Sequence, residues 1–195
     1  MSTFVLATAN PHKAVELRAV LEDLGVTVLA RPRDVPEVDE TSDTLEGNAL
    51  LKAWALVEAT GFAALADDTG LFVDVLEGRP GVRSARYAGE GASDADNVER
   101  LLSELVNVDL DERGARFATV IAVAYPDGSS IVVRGELEGT IDHYPRGSHG
   151  FGYDSVFVPL GSGGRTLAQM APEEKNAISH RSRAVRNLVA ALRIS

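Results

Sequence analysis

The sequence predicts a globular protein of the α/β class, in which short strands alternate with helices. Apolar runs such as Phe4–Ala7 and Val26–Ala30 indicate buried strands. Between them, Leu17, Leu21 and Leu24 recur at helical spacing. A chain of 195 residues can bury a substantial core, and we expect a single domain over residues 1–195.

Composition narrows the classes of function. The chain is 45% apolar and 25% charged, as globular proteins are. It has neither a run long enough to span a membrane nor the basic start of a signal peptide, so we expect no membrane partner and a cytoplasmic location. The net charge of −10 argues against a nucleic-acid-binding surface. The lack of cysteine excludes disulfides and thiolate chemistry.

The first strand leads into a segment that can bind an anion. Asn10 is a good helix N-cap, and Pro11 suits the first helical position. A helix that begins directly after a buried strand presents unpaired N–H groups and a positive dipole to an anion. Thr8, Asn10 and Lys13 add a hydroxyl, an amide and an ammonium at the same place. The alternative is an ordinary capped helix with an exposed lysine.

A long helix is predicted from a cap at Thr41, Asp43 or Thr44 to about Thr60, closed by Gly61. It is apolar on nearly all sides. Asn48 and Lys52 share one of its faces at i,i+4 spacing. A polar pair is usually part of the solvent-exposed face of a helix. That explanation is weaker for a helix that is apolar on nearly all sides, so the pair indicates a functional role.

Two adjacent carboxylates, Asp67 and Asp68, follow the apolar strand Phe62–Ala66. With Thr69 and Gly70 they are expected to form a turn at the end of that strand. Carboxylates at the end of a buried strand are costly unless they meet a cation, water or hydrogen-bond donors. The alternative is a plain Asp-rich turn without a ligand.

Two more elements are predicted in the middle of the chain. Ser93 is expected to cap a helix whose apolar stripe ends at Leu105. Ala115–Tyr125 and Ser129–Leu137 are predicted to form a hairpin, because Pro126-Asp127-Gly128 between them favours a turn.

The loop Gly147–Asp154 interleaves glycines with Phe151 and Tyr153. Glycines let the backbone approach a ligand closely, and aromatic rings offer planes on which a base can stack. Such loops are also often purely structural.

The last helix is predicted to begin at Ser179, which places His180 and Arg181 at its positively polarised start. A solvated first turn is the alternative. Lysine is scarce, since only Lys13, Lys52 and Lys175 occur among 19 basic residues. Each is therefore a candidate for a compact point charge that arginine does not replace.

These motifs together resemble those of the inosine triphosphate pyrophosphatase family. Two departures are visible: Thr69 stands where the family has serine and keeps the hydroxyl, and Ser155 stands where proline is common. The matching stretches span nearly the whole chain in family order: Thr8-x-Asn10-x-x-Lys13, Glu40-Thr41, Asn48-Ala49, Lys52-Ala53, Ala66-Asp67-Asp68-Thr69-Gly70-Leu71, Ser84-Ala85-Arg86-Tyr87, Gly150-Phe151-Gly152-Tyr153-Asp154, Lys175 and Ser179-His180-Arg181.

The resemblance implies an α/β fold with a long mixed central sheet flanked by helices, and two lobes with an active-site cleft between them. It also implies a homodimer that hydrolyses ITP, dITP and XTP to the monophosphate and pyrophosphate with Mg²⁺. Asp68 would be the general base and, with Glu40, a metal ligand. The substrate would be bound by Thr8, Asn10, Lys13, Lys52, Thr69, Phe151, Gly152, Tyr153, Asp154, Lys175, His180 and Arg181.

Within that set, Arg181 is expected to donate to the 6-oxo group of hypoxanthine or xanthine, whereas adenine presents an amino donor there. Two alternatives remain at this point. One is a pyrophosphatase of modified pyrimidine triphosphates. The other is a non-catalytic nucleotide sensor, which would not need the carboxylates Asp67, Asp68 and Glu40.

Overall fold

The structure is a computed structural model that describes residues 3–8, 13–15, 17–18, 21, 26–32, 35–36 and 38–194. The centre of the fold is a seven-stranded mixed sheet. The strand order is β2-β1-β3-β5-β6-β7, with β4 paired to β3. Strand β1 runs parallel to β2 and to β3, whereas the β3–β4 and β6–β7 pairs are antiparallel. The strands are β1 Thr3–Leu6, β2 Thr27–Leu29, β3 Ala64–Val73, β4 Pro80–Gly81, β5 Gly114–Ala124, β6 Ser130–Ile141 and β7 Phe157–Pro159.

Helices flank the sheet, so the predicted mixed α/β class is confirmed. Residues 13–15, 17–18 and 21 are helical, and Leu17 and Leu21 are fully buried, as predicted. The predicted cap residues Asn10 and Pro11 lie outside the described residues. The further helices are α1 Leu45–Thr60, α2 Asp94–Glu104, α3 Pro172–Ile178 and α4 His180–Ile194.

The predicted bounds of α1 are confirmed by its caps. The Thr44 hydroxyl accepts a hydrogen bond from the Gly47 N–H at 3.1 Å. At the other end, Gly61 adopts the left-handed conformation (φ 70°) and its N–H donates to the Val57 carbonyl. Helix α2 likewise begins at Ser93, whose side chain forms a capping box with Asp96.

The predicted turn at Asp67–Gly70 is wrong, because β3 runs without a break from Ala64 to Val73. Strand pairing overrides the local turn preference: Leu71 pairs with Gly81 of β4. Gly70 is needed there for space, since a Cβ at this position would lie 2.5 Å from the Gly81 carbonyl oxygen. The two carboxylates therefore project from a strand in the middle of the sheet.

The chain divides into two compact units, each assembled from separate stretches of sequence. Unit 1 comprises residues 1–68, 119–135 and 180–195, and its core includes Phe4, Leu65 and Leu188. Unit 2 comprises residues 69–118 and 136–179, with Leu101 and Phe157 in its core. The assignment of one pyrophosphatase domain to residues 1–195 stays a prediction, as does the cleft.

The hairpin β5–β6 is confirmed, with the Tyr125 N–H bonded to the Ser129 carbonyl at 3.0 Å. Helix α3 was not predicted, although Pro172 at its first position and two acidic residues in its first turn are helix-start signals. Among the described residues, no helix has the length and apolar character needed to cross a membrane.

Candidate active site

Helix α1 holds Asp68 of β3 through two side chains one turn apart. The Lys52 Nζ lies 3.1 Å from Asp68 Oδ1, and the Asn48 amide donates to Asp68 Oδ2 at 3.3 Å. Asn48 is itself fixed, since its Oδ1 accepts the Ser42 N–H at 2.9 Å. The polar face of this apolar helix therefore serves to orient one buried carboxylate.

Lys52 also joins a second carboxylate to the first. Its Nζ lies 3.0 Å from Glu40 Oε1, so Glu40 and Asp68 contact the same ammonium. Glu40 belongs to the loop before α1, whereas Asp68 belongs to β3. Three predicted site residues that are distant in sequence thus meet in unit 1.

Asp67 points to another cation. It is 2% exposed, and its Oδ2 lies 3.4 Å from Lys13 Nζ. Within the part of the chain that the structure describes, Asp67 Oδ1 has no hydrogen-bond donor. A buried carboxylate oxygen without a donor is costly, and it is suited to receive a cation or a water molecule.

Burial and neighbouring charges shift the pKa values of Asp67, Asp68 and Lys52 in different directions. Burial raises the pKa of Asp68 above its ordinary value, and Lys52 and Lys13 offset this only in part. Burial would also raise the pKa of Asp67, but the positive charges of Lys13, Arg181 and Lys52 outweigh it and lower that pKa. Burial opposes the charge of Lys52, yet Asp68, Asp67 and Glu40 together raise its pKa.

The carboxylates of Glu40 and Asp68 are suitable ligands for a hard divalent cation. Each has an oxygen within 3.1 Å of the Lys52 Nζ, so the two carboxylates already share one positively charged group. No group of three or more Asp, Glu, His or Cys side chains gathers for a metal within the described ranges. Magnesium commonly uses only one or two carboxylates together with substrate phosphates, so this sparse set is compatible with it.

Four more of the predicted substrate-binding residues come from the start of the chain and from β3. Thr8 is half-buried two residues after the end of β1, and Lys13 lies in the first helical segment, both in unit 1. Asn10 lies outside the described residues. Thr69 is half-buried and follows Asp68 in β3 as the first residue of unit 2.

Lys175 lies with the aromatic loop in unit 2. Its Nζ donates to Asp154 Oδ2 at 2.6 Å, and both residues are 4% exposed. The same oxygen accepts the Phe151 N–H at 2.9 Å, and the Lys175 Nζ lies 5.0 Å from the centre of the Phe151 ring. This buried ion pair fixes the aromatic ring; phosphate binding by Lys175 stays a prediction.

The rest of the loop is anchored to two other segments of unit 2. The Tyr153 hydroxyl donates to the Ser84 carbonyl at 2.9 Å, and the Gly152 N–H donates to Asp94 Oδ2 at 2.7 Å. Ser84 in turn donates to the Gly81 carbonyl and accepts the Leu71 N–H. Ser84 therefore supports the loop Gly147–Asp154. This loop and α2 together line a cavity of about 760 Å³.

His180 and Arg181 open α4 in unit 1, and both are buried. The His180 Nδ1 lies 2.6 Å from Oγ1 of Thr119, a buried residue of β5. Arg181 contributes to the positive charge that lowers the pKa of Asp67. Thr119 was not predicted as a functional residue, because a single threonine in an apolar strand carries no signal. Donation from Arg181 to a 6-oxo group stays a prediction.

Comparison with known proteins identifies the family. The model of the Ham1 family matches residues 4–191. A dITP/XTP pyrophosphatase of Streptomyces avermitilis is 50% identical, with 99% of this chain and 98% of that protein covered. A protein of the same name from Bacillus subtilis is 43% identical, with 96% of each chain covered.

Solved structures agree with this result. A HAM1 protein from Coxiella burnetii superposes with a TM-score of 0.90 at 39% identity, with 100% of both chains covered. A nucleoside-triphosphatase / dITP/XTP pyrophosphatase from Mycobacterium abscessus has a TM-score of 0.78 at 46% identity, covering 95% of this chain and 98% of that one. The resemblance inferred from the sequence motifs is thereby confirmed, and the chain belongs to the Ham1 family.

Proposed function

We propose that this protein hydrolyses non-canonical purine nucleoside triphosphates, namely ITP, dITP and XTP, to the monophosphate and pyrophosphate, and so cleanses the nucleotide pool. Two relatives that are 50% identical to this chain are named for dITP and XTP, which supports the substrate class. The structural observation that supports it best is the placement of Glu40 and Asp68 on the single ammonium of Lys52.

Asp68 is the proposed general base. A water molecule attacks a phosphorus of the α–β anhydride, the bond from that phosphorus to the bridging oxygen breaks, and the nucleoside monophosphate and pyrophosphate separate. The Asp68 carboxylate takes the proton that the water loses. Lys52 and Asn48 hold the two oxygens of Asp68 and so fix the direction in which that carboxylate accepts a proton.

Glu40 and Asp68 are the proposed ligands of Mg²⁺. When bound, the ion would neutralise charge on the phosphates and raise the acidity of water. Phosphoryl transfer depends mainly on positioning and charge neutralisation, and Lys13 and Lys52 supply further positive charge in the same unit.

The other proposed contacts divide between phosphate and base. Thr8, Asn10, Lys13, Lys52 and Lys175 are proposed to bind the phosphates, and Thr69 is proposed as a further substrate contact. The base is proposed to contact Phe151, Gly152, Tyr153 and Asp154, together with His180 and Arg181. The buried bond from Lys175 to Asp154 supports a fixed Phe151 ring, which is what stacking requires.

The test is product analysis with ITP, ATP and GTP for the wild type and for Asp68→Asn, with Mg²⁺ present. We expect IMP and pyrophosphate from ITP, without orthophosphate, and loss of turnover in Asp68→Asn. Nucleotide binding without turnover in the wild type would instead indicate a sensor. Preference for modified pyrimidine triphosphates in a wider panel would indicate the second alternative.

We also propose that the protein works as a cytoplasmic homodimer and does not bind nucleic acid. The family resemblance supports the dimer, and the net charge of −10 opposes binding to a polyanion. Light scattering after size-exclusion chromatography would measure the dimer directly.

A further inference from the structure

The start of α4 is held from two neighbouring strands in unit 1. Thr119 of β5 and His180 are 61 residues apart in sequence, yet their side chains meet at 2.6 Å. Thr119 is fully buried and His180 is 3% exposed, so the contact is shielded from solvent.

Strand β6 contributes through close backbone approach. A Cβ at Gly135 would lie 2.4 Å from the His180 carbonyl oxygen and 2.2 Å from the Ala184 nitrogen. No real side chain tolerates such distances to backbone atoms, so the first turn of α4 lies against β6 only because residue 135 is glycine.

A hydrogen bond to one imidazole nitrogen restricts the rotation of the ring and couples its tautomer to its partner. Because Nδ1 is engaged by Thr119, that nitrogen does not contact a substrate. The hydroxyl of Thr119 thus restrains the orientation of the His180 ring.

We propose that Thr119 is a positioning residue for recognition of the purine base, acting through His180, and that Gly135 seats the turn on which His180 and Arg181 lie. The inference rests on the proposed function, which assigns His180 and Arg181 to the base. It adds that the geometry of base recognition is set by buried positions of the sheet.

Two variants separate the hydroxyl from the shape of the side chain. Thr119→Val keeps the volume and removes the hydroxyl, whereas Thr119→Ser keeps the hydroxyl. We expect Thr119→Val to raise KM for ITP about tenfold while kcat changes less than twofold, and to reduce the preference for ITP over ATP. Thr119→Ser should restore both parameters to within about twofold of the wild type.

A spectroscopic measurement tests the contact without any turnover. The ring-nitrogen chemical shifts of His180, assigned by comparison with His180→Asn, should report one tautomer in the wild type and Thr119→Ser. In Thr119→Val they should report a mixture. Circular dichroism should show that the variants are folded.

The outcomes are distinguishable from those of the proposed function. If the wild type fails to release pyrophosphate from ITP, the proposed function is wrong. The ring-nitrogen chemical shifts still test the contact between Thr119 and His180 in that case. A folded Thr119→Val with unchanged KM and unchanged preference would overturn the positioning role. The positioning role would also be overturned if Thr119→Val and Thr119→Ser both lost kcat to the same extent.

Discussion

The ammonium of Lys52 lies 3.1 Å from Oδ1 of Asp68. Asp68 must be ionised to accept a proton, so the rate should fall as the pH falls through its pKa. Burial raises that pKa and Lys52 lowers it. We therefore expect Lys52→Gln to move the acid limb of the kcat profile for ITP to higher pH. Lys52→Arg keeps the charge and should leave the acid limb of the profile at the same pH. If the acid limbs of the wild type and Lys52→Gln lay at the same pH, Lys52 would not lower the pKa of the base.

The Asn48 amide holds the other oxygen of the same carboxylate. We expect Asn48→Ala to lower kcat for ITP about tenfold, because one hydrogen bond that orients Asp68 is lost. Asn107 is exposed, so Asn107→Ala is a matched control that should change kcat little. If both variants behaved alike in steady-state assays, Asn48 would have no role in orienting the base.

Metal dependence should be traceable to Glu40. EDTA should abolish pyrophosphate release, and added Mg²⁺ should restore it. Glu40→Gln should raise the Mg²⁺ concentration required for half-maximal activity, since one of two proposed ligands loses its charge. The neighbouring exposed Asp39 provides the control Asp39→Asn, whose Mg²⁺ requirement should match the wild type. An unchanged requirement in Glu40→Gln would exclude Glu40 as a ligand.

The Phe151 ring should contribute to affinity for the base. Stacking of a base on an aromatic side chain is worth roughly 1–3 kcal/mol, so Phe151→Ala should raise KM for ITP about tenfold or more. Phe62 is 66% exposed and outside the site, so Phe62→Ala should leave KM unchanged. Steady-state kinetics on both variants would decide; a normal KM in Phe151→Ala would remove this ring from the substrate contacts.

Arg113 should be important for stability rather than for turnover. It is 2% exposed, and its guanidinium donates to the carbonyls of Leu105, Val108 and Asp142. Arg113→Met removes these three buried hydrogen bonds and should cost about 3 kcal/mol in urea unfolding. The exposed Arg100 offers the control Arg100→Met, with an expected cost below about 0.5 kcal/mol. Equal losses would mean that the buried bonds contribute nothing.

Local sequence was sufficient for several elements. The caps Thr44, Gly61 and Ser93 each act through hydrogen bonds to residues within four positions, so their sequence signals predicted α1 and the start of α2. The motifs also identified the family, because their order and spacing extend over nearly the whole chain.

Contacts between distant residues decided the rest. Asp67–Gly70 has turn chemistry, but β3 continues through it and pairs with β4 immediately beyond it, at Leu71. Lys175 looked equivalent to the other lysines until the fold paired it with Asp154.

The α/β class, the capped helices, the hairpin and the family are thus predictable from the residues alone, since they depend on local periodicity and on motif order. The contacts of Lys52 with Glu40 and Asp68, and of Thr119 with His180, are visible only in the folded chain. Such pairs depend on the packing of helices and strands far apart in the chain, for which no local propensity exists.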